Sequence, residues 1–296
     1  MICDAHCHFF SQQFLEILTR GTPLAERGPE HVTGLLGWDP PGPAEALADR
    51  WTAELDRHGV SRAVLIASVP GDESSVAAAV ARHPTRFVGL FMFNPVAPDA
   101  DVRVERALEA GMRAIGLFPA MHGYRLDDQR VADTFTAAAR RRAAVFVHCG
   151  ALTVGVRRKL GLPSAFDWRL GDPLAVAAVA LRFPTVPVIV PHFGAGFFRE
   201  ALMAADQCPS IHLDTSSSNA WIKYHQGLTL EAVLRQALAV AGAERLLFGT
   251  DSSFFPRGWQ RGIYDAQRKA LDAIGMDAAA QEQVFSGNFS RLFPQP

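Results

Sequence analysis

Eight short apolar runs, each ending in small, polar or turn-prone residues, recur down the chain at 2–8, 62–68, 87–94, 114–120, 144–150, 187–193, 211–217 and 246–252. Runs of this length read as strands buried on both faces, the pattern of a parallel sheet covered by helices. Amphipathic, alanine-rich segments of helical length lie between them, as at 44–58, 131–142, 173–183 and 230–241. From His6 in the first run to Asp251 in the eighth is 245 residues, or 35 per strand–helix unit over seven intervals, which is βαβ spacing. An open doubly wound sheet has similar spacing but usually carries a glycine-rich phosphate loop after its first strand. Here that strand ends in His6-Cys7-His8. The pattern predicts an α/β chain folded as a (β/α)8 TIM barrel, a single domain over residues 1–296, a length such barrels routinely occupy.

Hydrophobic residues make up 49% of the chain and charged residues 20%, ample for a buried core and against extended disorder. The formal net charge of -1 supplies no bulk field for nucleic acid or a membrane surface, and neither is expected as a partner. Cys3, Cys7, Cys149 and Cys208 show no CxxC pairing and read as reduced thiols. No signal-peptide pattern and no membrane-spanning apolar run is evident, so a cytoplasmic location is expected. Two connections, 9–43 and 151–172, are too long for turns and follow strand C-termini, the face on which barrels build their sites. The first holds Arg20, Arg27 and Trp38; the second holds Arg157, Arg158, Lys159, Trp168 and Arg169.

Side chains two apart on a strand point the same way, so His6 and His8 are expected to face the barrel interior and Cys7 the helices. His148, His192 and Asp251 end the fifth, sixth and eighth runs. Alternation pairs Phe146 with His148, Val190 with His192, and Gly249 with Asp251 on inward-facing parities. Any one such histidine reads more readily as an isolated strand-end polar group. Five titratable groups on one rim are costly together unless a cation or ordered hydrogen bonds compensate them. Asp4 shares the parity of His6 by the same count, and two readings stand for it: orienting an imidazole or bonding backbone.

The chain resembles the amidohydrolase-related family that includes aminocarboxymuconate semialdehyde decarboxylase and several small metal-dependent hydrolases. The resemblance is carried by Asp4-Ala5-His6-Cys7-His8, by residues 123–128, by Val145-Phe146-Val147-His148-Cys149, by residues 171–174 running through Arg182-Phe183-Pro184 to His192-Phe193-Gly194, by Gly249-Thr250-Asp251, and by residues 287–293. It implies that His6, His8, His148 and Asp251 bind one divalent metal and that His192 is a catalytic histidine beside the metal-bound water. Three nitrogens and one carboxylate oxygen suit Zn2+, with Mn2+, Fe2+ or Co2+ able to use the same set. Branches related to phosphotriesterase use a bridging carboxylated lysine on the fourth strand, and TatD-type deoxyribonucleases a middle-strand glutamate. The run 113–119 contains neither, so a single metal is expected.

Such a metal lowers the pKa of bound water to roughly 7. The expected reaction is hydrolysis of a small ester, lactone or amide, with Asp251 or His192 carrying the proton. Two alternatives stand: non-oxidative decarboxylation (carboxy-lyase chemistry) on the same constellation, and a metal-binding barrel without catalysis. A decarboxylase needs cations for carboxylates, and Arg157, Arg158, Lys159 and Arg169 are available, although solvated surface charge is the plainer reading of that run. Trp38, Trp168, Trp221, Phe254 and Phe255 are candidates for an apolar wall, with packing as the alternative. His122, and Asp214 with Ser216 and Ser218, are further candidates for contact with a small-molecule substrate; for Asp214 turn capping is the plainer reading. The family resemblance also allows a homodimer.

Overall fold

The computed structural model describes residues 1–295, the side chains of 218 and 219 excepted, so the expectation for Ser218 lies outside the described residues. Strands β1 (Ile2–His8), β2 (Val60–Ala67), β3 (Phe87–Phe93), β4 (Ala114–Leu117), β5 (Ala144–Val147), β6 (Val188–Val190), β7 (Ile211–Asp214) and β8 (Leu246–Leu247) form one sheet in sequential order. Neighbouring strands are parallel throughout. The sheet closes where Cys7 bridges Ser252, with His8 N–H donating to the Ser252 carbonyl at 2.7 Å and Ala5 N–H to that of Phe248 at 2.8 Å. Around it stand α1 (Ala44–Arg57), α2 (Glu73–Arg82), α3 (Ala100–Glu109), α4 (Gln129–Arg141), α5 (Pro173–Ala180), α6 (Phe198–Gln207), α7 (Leu230–Ala241) and α8 (Arg261–Ala273). This is the expected (β/α)8 barrel.

Two cores explain why the runs are apolar on both parities. In β3, Val88, Leu90 and Met92 join the barrel interior, whereas Phe87, Phe91 and Phe93 pack outward against the helices. The interior is plugged below by Phe289 and Phe293, and the Arg62 guanidinium, 5.0 Å from the Phe289 ring, donates to the Phe293 carbonyl at 2.6 Å. The outer helices follow the amphipathic rule: α4 buries Val131, Thr134, Phe135 and Ala138 along one stripe, is capped by Asp128, and carries Arg140 and Arg141 in its last turn. The two long connections pack together above the barrel, where Phe14, Leu15, Leu18, Val32 and Leu36 from the first meet Val156 from the second.

Several strands end earlier than their apolar runs. The rim residues leave the ladder because their backbones turn: residues 119–122 form a short helix, and His192, Phe193, Ala195, Ser217 and Asp251 adopt positive φ of 56, 50, 45, 47 and 60°. Among the described residues only one other non-glycine, Arg142, does so. Left-handed backbone is uncommon outside glycine, and five of these six cases gather at one rim. Two parity expectations fail here. Val190 packs toward the helices while Ile189 faces the interior, so His192 reaches the rim through the turn Pro191–Gly194 and not by alternation. In β1 the register shifts between Asp4 and Cys7; Cys3 and Ala5 join the interior core, and Asp4 does not share the direction of His6.

Candidate metal centre

The β1 irregularity sets His6 and His8 side by side with ring centroids 5.2 Å apart, and Cys7 packs outward as expected. His6 Nδ1 lies 2.6 Å from Asp214 Oδ2 at the end of β7 and 3.0 Å from Ser216 Oγ. His8 Nδ1 lies 2.7 Å from Ser68 Oγ, whose hydroxyl donates to the Ile66 carbonyl at 3.0 Å and therefore accepts from His8. With both Nδ1 positions protonated, both Nε2 atoms present lone pairs. They converge on Asp251 Oδ1, 3.7 Å from His6 Nε2 and 3.0 Å from His8 Nε2, while Ser217 donates to Asp251 Oδ2 at 2.6 Å. Two acceptors facing at 3.0 Å repel unless a proton or a cation stands between them. Potential ligand atoms of His6, His8 and Asp251 all lie within 4.8 Å of one another, a spacing that suits an ion with bonds of about 2 Å.

His148 completes the wall without joining that triplet. Its ring stacks on Phe118 at 5.4 Å and meets His192 edge-on at 5.3 Å, and its buried Nδ1 has no hydrogen-bond partner. An unmatched buried nitrogen of this kind costs about 1–3 kcal/mol, and a cation would satisfy it. His192 Nδ1 lies 2.9 Å from the Ser216 carbonyl, an acceptor, so it carries the proton and leaves Nε2 unprotonated on the cavity side.

Electrostatics favour the neutral imidazole at His8, His148 and His192. Burial holds His148 well below the usual histidine range, with repulsion from His192 and His6 adding to it; burial also lowers His8 and His192. Burial pushes the Asp251 carboxyl up, but its attraction to the surrounding histidines, His8, His6 and His192, outweighs the burial and holds the group ionised. Burial lowers the His6 pKa, but Asp214, Asp251 and Asp4 raise it on balance; burial likewise raises Asp214, and His6, His192 and the Ser216 N–H together bring it down.

Above these groups opens a cavity of about 560 Å³. One wall is a continuous stack: Phe10 lies 5.5 Å from the His8 ring and 5.2 Å from Trp38, Trp38 lies 4.5 Å from Phe254, and the Arg257 guanidinium sits 4.6 Å from the Phe254 centroid. Both long connections contribute to the lining. Trp221 also lines it, whereas Phe255 is buried against Trp51.

The other predicted contacts are placed unevenly. Arg157 lines the cavity, its Nε donating to the Pro163 carbonyl at 2.6 Å, and Lys159 lines it too. Arg158 does not. Arg169 is turned away, 88% exposed and paired with Asp167 at 2.7 Å, and Trp168 sits outside the lining with its indole donating to the Leu152 carbonyl at 3.3 Å. His122, stacked on Tyr124 at 6.4 Å, is likewise outside. Asp214 lies beneath His6 instead of facing a substrate; it also caps its own turn by accepting from Ser216 N–H at 2.7 Å. Asp4 bonds backbone, accepting from the N–H of His6 at 2.9 Å and of Thr250 at 3.2 Å, and also from the Thr250 hydroxyl and the Trp259 indole.

Sequence reasoning missed Ser68, Ser217, Lys223 and Arg257. Ser68 and Ser217 end apolar runs and fall under the same strand-end rule that found the histidines. No periodicity or spacing marks the two cations.

The fold is shared with solved structures. A 5-carboxyvanillate decarboxylase, LigW, from Sphingomonas paucimobilis is 17% identical, covers 100% of this chain and 99% of its own, and has a TM-score of 0.66. A probable 2-pyrone-4,6-dicarboxylic acid hydrolase from Acinetobacter baumannii is 15% identical over 99% and 98%, with a TM-score of 0.63. An amidohydrolase from Burkholderia multivorans with bound zinc is 14% identical over 100% of both chains, with a TM-score of 0.65. The model of the family described as "Amidohydrolase" matches residues 3–295, nearly the whole length, and the chain belongs to that amidohydrolase family.

Proposed function

We propose that the protein is a metal-dependent hydrolase that uses one divalent cation, Zn2+ by preference, to cleave a small ester, lactone or amide. The observation that carries this reading is the opposition of His8 Nε2 and Asp251 Oδ1 at 3.0 Å, with His6 Nε2 at 3.7 Å from the same oxygen. His148, with its unmatched Nδ1, is the fourth proposed ligand. Three nitrogens and one carboxylate are a zinc donor set. When bound, the ion supplies a water acidified toward neutrality and a Lewis-acid contact for a carbonyl oxygen.

The chain's own residues do the rest. Asp214 and Ser68 hold the two β1 imidazoles with Nε2 free. His192 Nε2, unprotonated because Nδ1 is committed to the Ser216 carbonyl, accepts the proton of the attacking water and returns it to the leaving oxygen or nitrogen as the acyl bond breaks. Ser217 keeps Asp251 oriented from its outer oxygen. The cavity volume fits a small-molecule substrate.

Decarboxylation is the second reading, favoured by the charges of the cavity: Arg157, Lys159, Lys223 and Arg257 line it against the single acid Asp251. Both the decarboxylase and the pyrone hydrolase of similar fold are named for carboxyl-bearing substrates. The experiment is metal analysis of purified protein, then a screen of lactones, N-acyl compounds and carboxylated aromatics with and without chelator, following proton and CO2 release in parallel. Chelator-sensitive proton release alone supports hydrolysis, CO2 release moves the assignment to decarboxylation, and silence in both channels leaves a non-catalytic metal-binding barrel.

A further inference from the structure

We propose that Arg257 selects the substrate, seating a carboxylate at the metal end of the cavity beside the Phe10–Trp38–Phe254 wall. The inference rests on the reading of that cavity as the active site. Four cations and one acid line the space, and the one acid is already matched by histidines and, when loaded, by the ion. The cavity therefore presents net positive charge to whatever enters.

Arg257 differs from the other three cations in how it is held. Its Nη2 donates to the Asp251 carbonyl at 3.2 Å and to Ser253 Oγ at 2.5 Å, and its guanidinium lies over Phe254. These contacts fix the group from behind. Among the described residues no carboxylate pairs with it, and its Nε and Nη1 hydrogens have no acceptor. Arg169, by contrast, is satisfied by Asp167, and Arg157 has spent its Nε on a carbonyl. Lys159 and Lys223 are flexible point charges without a fork. A planar guanidinium held in place through Nη2, with its Nε and Nη1 hydrogens free, offers a carboxylate charge-assisted hydrogen bonds from a fixed cation and loses little freedom in making them. Its tether to the backbone of Asp251 puts that carboxylate next to the reacting centre and not at the mouth. The aromatic wall beside it gives the rest of the molecule an apolar seat.

The test is calorimetric titration of the zinc-loaded protein with 2-naphthoate and with the neutral 2-naphthamide, for wild type, Arg257→Met and Arg257→Lys, with zinc content and melting temperature recorded for each. Wild type is expected to prefer the carboxylate at least tenfold. Arg257→Met should narrow that ratio to threefold or less by weakening the carboxylate alone, and Arg257→Lys should fall between. Repeating the titrations after chelation separates the ion's attraction from the arginine's, and the dependence on Arg257 should persist. An unchanged ratio in a folded, metal-replete Arg257→Met protein overturns the proposal. Equal affinity for both ligands in wild type, or no saturable binding of either, does the same. Zinc binding and turnover with an unchanged ratio sink the arginine alone; a ratio that falls without turnover sinks the hydrolase reading alone.

Discussion

Asp214 Oδ2 stands 2.6 Å from His6 Nδ1, a contact between the ends of β7 and β1 that fixes which nitrogen of His6 faces the cavity. Both groups are buried, so the carboxylate acts on the imidazole without competition from water. A metal-facing imidazole is made a better donor, and held in one tautomer, by such a partner, and its removal typically costs 10–100-fold in metal affinity. Asp214→Ala should therefore weaken zinc binding by about that factor while leaving the fold in place, read by competition against a chromogenic chelator. An affinity unchanged within twofold would remove Asp214 from the centre.

The same pair explains why residue 249 is glycine. A Cβ built there would lie 2.7 Å from Asp214 Oδ1, 2.9 Å from His6 Cβ and 3.0 Å from Ser216 Cβ. None of these is the loose end of a flexible chain, so the strand and the pair must move apart. Gly249→Ala is expected to cost about 1–3 kcal/mol, the usual penalty of overpacking, and to weaken zinc binding with it. Denaturant midpoints and zinc titration on the same sample check both halves. Lost stability with intact zinc affinity would mean the clash is absorbed away from His6.

Asp72, which is not among the proposed ligands, sets a pH dependence of its own. It receives the Ser11 hydroxyl at 2.7 Å, and its second oxygen is buried without a partner. Burial raises its pKa from 3.8 to about 7 against the hydrogen bonds of Ser75 and Ser11, and the charges of Glu73 and Glu16 add to the rise. Between those values the folded protein holds a proton that the unfolded chain has lost, so this group's contribution to stability falls as pH rises from 4 through 7. Asp72→Asn should match wild type near pH 4 and gain on it up to about pH 7, reaching at most roughly 4 kcal/mol. Denaturant unfolding at pH 4, 5.5 and 8 measures the difference; a constant offset would refute the assignment.

How much of this was legible in sequence depends on whether the backbone stays regular. The apolar runs gave the barrel because each strand is buried on both faces, as Val88 and Phe87 illustrate from opposite sides of β3. His6, His8, His148, His192 and Asp251 were legible as strand-end groups on one rim, and all five line the cavity. Alternation misjudged Asp4 and the pairing of Val190 with His192, because a register shift in β1 and left-handed turns at 192–195 decide where those side chains point. Neither leaves a mark in composition. Loop cations were harder still: Arg169 is neutralised by Asp167 two residues away, whereas Arg257 acquires its neighbours through the path of its own loop around Phe254.

His148 offers the sharpest test of the proposed ion, because metal and packing pull its substitution in opposite directions. Its Nδ1 is buried without a partner, and its ring is stacked on Phe118. In metal-free protein, His148→Phe removes an unsatisfied polar atom and keeps the stacking, so it should be neutral or stabilising by up to about 3 kcal/mol. In the presence of zinc at about 100 times the wild-type dissociation constant, wild type gains about 2.7 kcal/mol from binding. A variant lacking one ligand loses most of that gain. The stability order should therefore reverse, or the variant's advantage largely vanish, on adding zinc, as followed by thermal melts with and without the ion. If the difference between the two proteins is the same in both conditions, His148 is a packed core residue and the ion is held by His6, His8 and Asp251 alone.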